Sequence, residues 1–375
     1  MLLSSKTLSD DCRLDWLRLI RSDRVGPITF HKLLARYGSA AAALDALPEL
    51  TRKGRRTASA KIASRSAAER ELAAHEDLGA KLIAWGEPGY PPRLAAIEDA
   101  PPLLSVLGRI ELLGKKTFAI VGARNASTNG RRFAQSIATD LADGGLMIAS
   151  GMARGIDASA HLGAIDKGTL AVLGGGVDVI YPKENTDLYH RIAEQGVVVS
   201  EPPPGTRPEA RHFPRRNRII SGVSRGVLVI EASLRSGSLI TSRMALEQGR
   251  EVFAVPGSAL DPRARGTNDL IRQGATLTER AEDVFEALNG CCAGFPTPPP
   301  THEEFDHQAV SDNEIPTSAR QEVENRLSPT PSHIDELIRE THYPAAAVAT
   351  ILLELELAGR LERHPGNRVS LIAEP

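Results

Sequence analysis

Lys116-Thr117-Phe118-Ala119-Ile120-Val121-Gly122 is an apolar strand that runs into a glycine, and Ala123-Arg124-Asn125-Ala126-Ser127 then carries the chain to the cap of a helix. Comparable apolar runs follow at Leu146 to Ala149, Leu170 to Leu173, Val197 to Val199, Gly226 to Ile230 and Glu251 to Val255. Helical spacing fills the intervals, at Arg132 to Leu141, Ala158 to Ile165, Leu188 to Glu194 and Leu239 to Glu247. Strands alternating with short helices predict βαβ units and a mainly parallel, doubly wound sheet over residues 116–290.

In such a sheet, ligands bind beyond the carboxyl ends of the strands, where helix N-termini point. The chemistry-bearing residues collect there. Arg124 follows the first strand and offers a guanidinium fork suited to a phosphate oxygen pair. Ser150-Gly151-Met152-Ala153-Arg154-Gly155-Ile156-Asp157 follows the second, and its glycines are expected to leave bare N–H groups at a helix mouth while Asp157 holds the loop. His161, four residues after Asp157, reads either as an acid–base partner or as a packed core histidine. Gly174-Gly175-Gly176 follows the third strand and is expected to let a ligand backbone approach, with Lys183 projecting just ahead of the next helix. After the fourth comes a basic cluster, Phe213-Pro214-Arg215-Arg216-Asn217-Arg218. Here Phe213 either stacks a base or anchors the loop, and the arginines either neutralise phosphates or pair with Glu201 or Glu209. Glu231 after the fifth strand binds a ribose or braces Arg235, and Ser236-Gly237-Ser238 supplies small donors at a helix start. Repetition of small-residue basic loops along one sheet edge favours an extended, phosphate-bearing ligand.

Several classes are disfavoured. The dinucleotide pattern G-x-G-x-x-G is absent from the first turn and no G-x-x-x-x-G-K-[ST] occurs anywhere. No metal-ligand spacing and no nucleophile–base pair stands out, so no cofactor, metal or catalytic residue is expected. Three cysteines among 375 residues do not make a disulfide scaffold. No apolar stretch reaches about 18 residues, and Asp10, Asp11 and Asp15 interrupt the place of a signal-peptide core. A cytoplasmic location away from membranes is the expectation. With 45 Lys and Arg against 47 Asp and Glu there is no wholesale basic coat, although a local patch remains open.

The flanks differ in texture. Residues 1–80 read as short helices around the turn Val25-Gly26-Pro27, with 14 Lys and Arg against 10 Asp and Glu, either a helix-hairpin-helix that sets N–H groups on a phosphate or a helical cap. Residues 291–328 are rich in proline and acid and read as a flexible linker. Residues 329–375 give helix, turn, helix and hairpin, the pattern of a winged helix. Its second helix carries Glu354 and Glu356 and no base before Arg360, so it is unconvincing as a DNA-reading helix, and protein docking or autoregulation is an expectation at least as strong.

The ordered loops resemble the bacterial DNA-processing protein A family, also called Smf, across most of residues 85–285. The resemblance continues through Tyr181-Pro182, Ser200-Glu201, Val255-Pro256-Gly257 and Gly266-Thr267-Asn268. It implies an extended Rossmann-like domain over residues 85–290 that binds single-stranded DNA without sequence preference and dimerises. It also implies protection of incoming strands in natural transformation and loading of RecA, with single-strand binding protein displaced or sharing the strand. By motif, strand binding falls to Arg124, Gly151, Arg154, Gly155, Lys183, Phe213, Arg215, Arg216, Asn217, Arg218, Ser236 and Gly237. The competing class is a nucleotide N-glycosidase. Its usual Pro-Gly-Gly-x-Gly-Thr loop is missing, because Gly174-Gly175-Gly176 is followed by Val177-Asp178 and Glu231 leads into Ala232-Ser233.

Overall fold

Alternation along the strands explains the central layer. In the strand at Thr117–Gly122, Phe118 and Ile120 pack to one face of the sheet while Ala119 and Val121 pack to the other. A strand covered on both sides needs apolar residues in unbroken runs, which is how these segments read. The computed structural model describes residues 7–53, 61–290, 316–364 and 366–372. Four helices come first: α1 (Asp10–Arg21), α2 (Pro27–Tyr37), α3 (Ala40–Lys53) and α4 (Arg65–Asp77). The chain then forms two compact units. One holds residues 69–290, and the other combines residues 9–68 with the described residues from 316 onward.

The larger unit is an α/β layer structure. Its sheet contains β1 (Lys81–Ala84), β2 (Leu103–Gly108), β3 (Thr117–Gly122), β4 (Met147–Ser150), β5 (Thr169–Val172), β6 (Val197–Ser200), β7 (Gly226–Ile230), β8 (Glu251–Ala254) and β9 (Thr276–Leu277). The order is β1-β2-β6-β5-β4-β3-β7-β8-β9. All pairings from β6 across to β9 are parallel, and β1 and β2 add an antiparallel edge. The six expected strands are present. The sequence reading passed over β1, β2 and β9, although Pro101-Pro102 before Leu103-Leu104-Ser105-Val106 is a strand signal. After α5 (Pro92–Ala95), one sheet face is covered by α9 (His212–Val223), α10 (Ser238–Glu247) and α11 (Arg265–Arg272). The other carries α6 (Thr128–Asp143), α7 (Ile156–Ala164) and α12 (Ala281–Gly290), and α8 (Thr186–Gln195) lies over β5 and β6. The strand order reverses at the β3–β7 pair, so a crevice opens between the loops that leave those two strands.

In the smaller unit, α13 (Thr317–Arg326), α14 (Ile334–Thr341) and α15 (Ala345–Leu357) meet a three-stranded sheet of β10 (Ser332–His333), β11 (Leu361–His364) and β12 (Arg368–Leu371). The linker expected over 291–328 is corrected in its second half. Thr317–Arg326 is helical because Ala319 and Val323, followed by Leu327, join the core of Leu337, Ile351 and Val369. Residues 291–315 of the linker lie outside the described residues.

The second helix of the winged helix, α15, is covered on more than one side. Val348, Ile351, Leu352 and Leu355 enter its own core, while Leu353 and Leu357 are also buried. Thr29 donates to Glu356 at 3.1 Å and Arg24 to the Leu357 carbonyl at 3.0 Å, so the N-terminal helices hold it. Glu354 takes Arg320 at 2.7 Å and Glu356 takes Arg363 at 2.9 Å. These contacts engage Glu354 and Glu356 within the chain.

Candidate functional site

The crevice at the β3–β7 reversal contains a cavity of about 750 Å³. Arg124 and Asn125 reach it from the turn after β3, Ser236 and Gly237 from the loop after β7, and Arg263 from the turn after β8. The α9 helix supplies a further wall through Phe213, Arg216, Asn217 and Ile220, and Ala153, Asp157 and Tyr181 reach the cavity from the β4 and β5 sides. Residues spaced by three and four share a helix face, and α9 makes that spacing decisive. The sequence reading took 212–222 as a basic segment and did not divide its arginines. On the helix, Arg215 is exposed, Arg216 enters the cavity wall, and Arg218 turns to the opposite side.

Arg218 takes the pairing with Glu201 that the sequence left open, and the strand-binding role that the resemblance implied for it is corrected. The side chain is buried, donates to Glu201 at 2.6 Å and lies 3.3 Å from Asp99, so its charge is compensated within the fold. Arg216 is also buried, yet it lines the cavity; it donates to the carbonyls of Gly151 and Val172, and its Nε has no partner among the described residues. A Cβ on Gly151 would sit 2.6 Å from the Arg216 guanidinium and would displace it. Burial lowers the Arg216 pKa to about 10, against the opposing pull of Asp157. Burial raises the pKa of Asp157, while Arg216 and the N–H groups of Ala153 and Gly151 act to lower it.

Asp157 also corrects the expected anion nest. Its carboxylate accepts from the N–H groups of Gly151 at 3.1 Å and Ala153 at 3.4 Å, so those donors are engaged rather than bare. Gly155 turns the loop into α7 at φ 79°, with its neighbour Ile156 donating to the Ala123 carbonyl at 3.2 Å. Gly151 and Gly155 thus shape the site through backbone packing. The glycine run after β5 is corrected similarly. A Cβ on Gly175 would meet the Thr206 carbonyl at 2.6 Å and one on Gly176 the Pro203 carbonyl at 2.7 Å, so the backbone that approaches is the chain's own.

Glu231, at φ 53°, accepts from the Ser127 N–H at 2.8 Å and from its hydroxyl. Ser127 in turn accepts from Gly130 at 2.8 Å and caps α6. The carboxylate therefore braces Ser127, where the sequence reading gave it a ribose or Arg235. Phe213 is half-buried, with Arg124 5.3 Å above its ring and Tyr181 5.6 Å from its centroid. Arg154 and Lys183 stay exposed beside each other's loops, Arg154 lying 3.8 Å from Glu184. The sequence reading missed Arg263, which Asp261 holds at 2.9 Å on the cavity wall. It lies between two quoted motifs, 255–257 and 266–268, with no pattern of its own.

His161 is a core residue. Thr169 donates its hydroxyl to the Ile148 carbonyl at 2.6 Å, so it accepts from His161 Nδ1–H at 2.8 Å and fixes that neutral tautomer. Burial first, and then Arg216, lower its pKa from 6.5 to about 3. The unfolded imidazole takes a proton below 6.5 and the folded one only near 3, so its stabilisation is complete above 6.5 and is lost as pH falls through that window. This side chain should contribute an acid limb approaching about 1.4 kcal/mol per pH unit. Urea midpoints between neutral pH and pH about 4.5 should show that limb, and His161→Gln should flatten it. An unchanged limb in the variant would locate the titration elsewhere.

Known proteins resemble this chain in sequence and fold. The sequence model of the family described as DNA recombination-mediator protein A matches residues 81–289. A DprA-like N-terminal HHH domain matches 10–74 and a DprA winged helix domain matches 297–367. The chain is 42% identical over 286 residues to protein Smf of Escherichia coli, covering 75% of each chain. It is 47% identical over 198 residues to DNA processing protein DprA of Streptococcus pneumoniae, covering 52% of this chain and 70% of that relative. The X-ray structure of the Streptococcus pneumoniae DNA processing protein A superposes with a TM-score of 0.61 at 35% identity, over 74% of this chain and 98% of that one. A structure of the Helicobacter pylori protein, described for its single-stranded DNA binding mode, gives a TM-score of 0.52 at 27% identity over 56% and 96% of the chains. Among the described residues, no helix is long and apolar enough to cross a membrane.

Proposed function

The chain belongs to the DNA recombination-mediator protein A family, and from that premise we propose that it binds single-stranded DNA without sequence preference at the β3–β7 crevice. It protects the strand and assists loading of RecA during natural transformation and recombination, as a cytoplasmic homodimer sharing the strand with single-strand binding protein. The observation that carries this reading is the cavity wall, where Arg124, Arg216 and Arg263 stand beside the N-terminus of α10 and the ring of Phe213. Guanidinium groups and a helix N-terminus attract phosphate, and none of them reads a base edge.

Binding roles divide by position. Arg124, Ser236, Gly237 and Asn217 face the strand from the cavity rim, and Arg216 sets the charge of the floor. Arg154, Lys183 and Arg215 are the exposed cations on its approaches, Gly151 and Gly155 shape the loop, and Arg218 holds α9 through Glu201. The non-enzymatic part of the reading is supported by Glu231. It is the acid that an N-glycosidase would use beside its glycine loop, and here Ser127 occupies it.

Fluorescence anisotropy with labelled poly-dT and a matched duplex across a salt series tests the proposal. Tight strand binding, weaker duplex binding and a steep salt dependence are expected. Failure to bind either nucleic acid would refute it. Arg124→Ala should cost about 1.5–3 kcal/mol of strand binding, the worth of a charge-assisted phosphate contact. Lys183→Ala should weaken binding and reduce the salt slope by about 0.7, the share of one phosphate on a single strand. Wild-type affinity in both variants would move the interface elsewhere.

A further inference from the structure

Arg124 sits in a turn that the end of β7 grips at two points. The Ala123 N–H donates to the Ile230 carbonyl at 3.3 Å, and the Ser127 N–H donates to the carboxylate of the next residue, Glu231, at 2.8 Å. Arg124, Asn125 and Ala126 span the interval between those bonds, and the first two are exposed. This turn forms one lip of the crevice and the loop after β7 forms the other. Glu231 therefore ties the lips together across the strand pair at which the order reverses.

The helix start shows what part the carboxylate plays. In a capping box, an N-cap serine accepts from the N–H three residues on, and a glutamate at that third position accepts from the serine N–H. The serine half is complete in α6, since Ser127 accepts from Gly130 at 2.8 Å. The third position is Gly130 itself, which has no side chain to give. Glu231, 104 residues away in sequence, supplies the missing acid, and a Cβ on Gly130 would come within 2.6 Å of its carboxylate. The capping box is thus split between β7 and α6. Glu231 reaches it from φ 53°, a backbone conformation sterically disfavoured for a residue with a side chain. Capping alone does not call for this, because a glutamate at position 130 would cap α6 locally. What an acid from β7 adds is the link across the crevice.

We propose that Glu231 is a positioning residue for strand binding: by closing the split capping box it fixes the turn after β3 against β7 and holds the Arg124 guanidinium where phosphate meets it. The inference rests on the strand-binding reading above and adds to it a residue that acts through Arg124. Charge alone has the opposite sign. A carboxylate near bound phosphate repels it, so neutralising Glu231 would strengthen binding if charge were its whole influence, whereas loss of the tie weakens binding.

The test is a double-mutant cycle in the full chain, read by fluorescence anisotropy on labelled poly-dT at one fixed salt. Glu231→Gln keeps the shape of the side chain but offers one acceptor oxygen where the carboxylate offers two. It should weaken strand binding about fivefold, a typical coupling between neighbouring residues. In an Arg124→Ala background the same change should weaken binding no further, because the group it positions is gone. Glu231→Ala combined with Gly130→Glu rebuilds the box within α6. That double variant should recover the urea midpoint lost in Glu231→Ala while the loss of affinity remains, and it carries the cycle if Glu231→Gln fails to fold. The proposal is overturned if Glu231→Gln binds as tightly as wild type or more tightly, or if it weakens binding equally in both backgrounds. It is overturned too if the rebuilt box restores affinity along with stability, which would leave Glu231 a helix cap alone. A wild type that binds no strand defeats the strand-binding reading and the positioning role with it.

Discussion

Asp157→Ala is expected to destabilise the larger unit by about 3–5 kcal/mol, the usual cost of removing one member of a buried charged pair. Two effects add. The N–H groups of Gly151 and Ala153 lose their acceptor, and the buried Arg216 guanidinium loses the carboxylate that supports its charge. Asp157→Asn separates them, because the amide oxygen still accepts from the loop while the charge is gone; about half the loss should return. The midpoint of urea unfolding followed through Trp85, in a Trp16→Phe background, reports this unit, since Trp85 lies within residues 69–290. The same amide variant should bind a DNA strand more tightly than wild type. Asp157 lines the cavity as a negative group facing the phosphate expected beside Arg124 and Arg216, so removing its charge strengthens the local attraction. Asn and Ala variants equally stable with the wild type would show that the loop does not depend on this carboxylate. A drop in strand affinity for the Asn variant would separate the cavity from the phosphate site.

The contrast between Arg216 and Arg218 shows what the sequence made legible and what it concealed. The parallel strands could be read because both faces of the sheet are buried, which forces unbroken runs such as Phe118 to Val121. The loops after them could be read because glycines and arginines recur at strand ends. The division of labour within 212–223 was not readable without the helix, because one turn of α9 sends three neighbouring arginines in three directions. Neither was the occupant of the Gly174-Gly175-Gly176 run. A glycine records only that something comes close, and here that something is the carbonyl-bearing turn at 203–206, a contact between distant parts of the sequence. Arg263 was invisible for a related reason, since its place on the cavity wall depends on where β8 lies beside β7. The packing of the N-terminal helices against α15 likewise depends on residues more than 300 positions apart, among them the Thr29–Glu356 contact. Local periodicity carries no record of it. Long-range approach, more than local conformation, is therefore where the sequence reading ended.

Gly155→Val is the second large effect, expected at about 3–5 kcal/mol of lost stability from a disallowed backbone and an overpacked side chain together. At φ 79° and ψ −121° the residue occupies a conformation that an L side chain rarely adopts. The space is closed as well. A Cβ there would contact the Ala123 carbonyl and stand 2.7 Å from the carbonyl oxygen of Arg124, neither of which is a flexible side-chain end. Gly205 separates the two causes, since it has φ 76° with nothing within 4 Å of its Cβ position. Gly205→Ala should therefore cost only the backbone penalty, about 1 kcal/mol, while Gly155→Ala should approach the valine variant because the first carbon makes the damaging contacts. Urea midpoints read through Trp85 distinguish these outcomes, and equal losses for the two alanine variants would rule out the carbonyl contacts as the cause. The consequence for binding follows from the same geometry. The carbonyls that a side chain at Gly155 would displace belong to the turn that presents Arg124 to the cavity. A Gly155→Ala protein that still folds should lose strand affinity along with stability, whereas Gly205→Ala should lose stability without an equal loss of affinity.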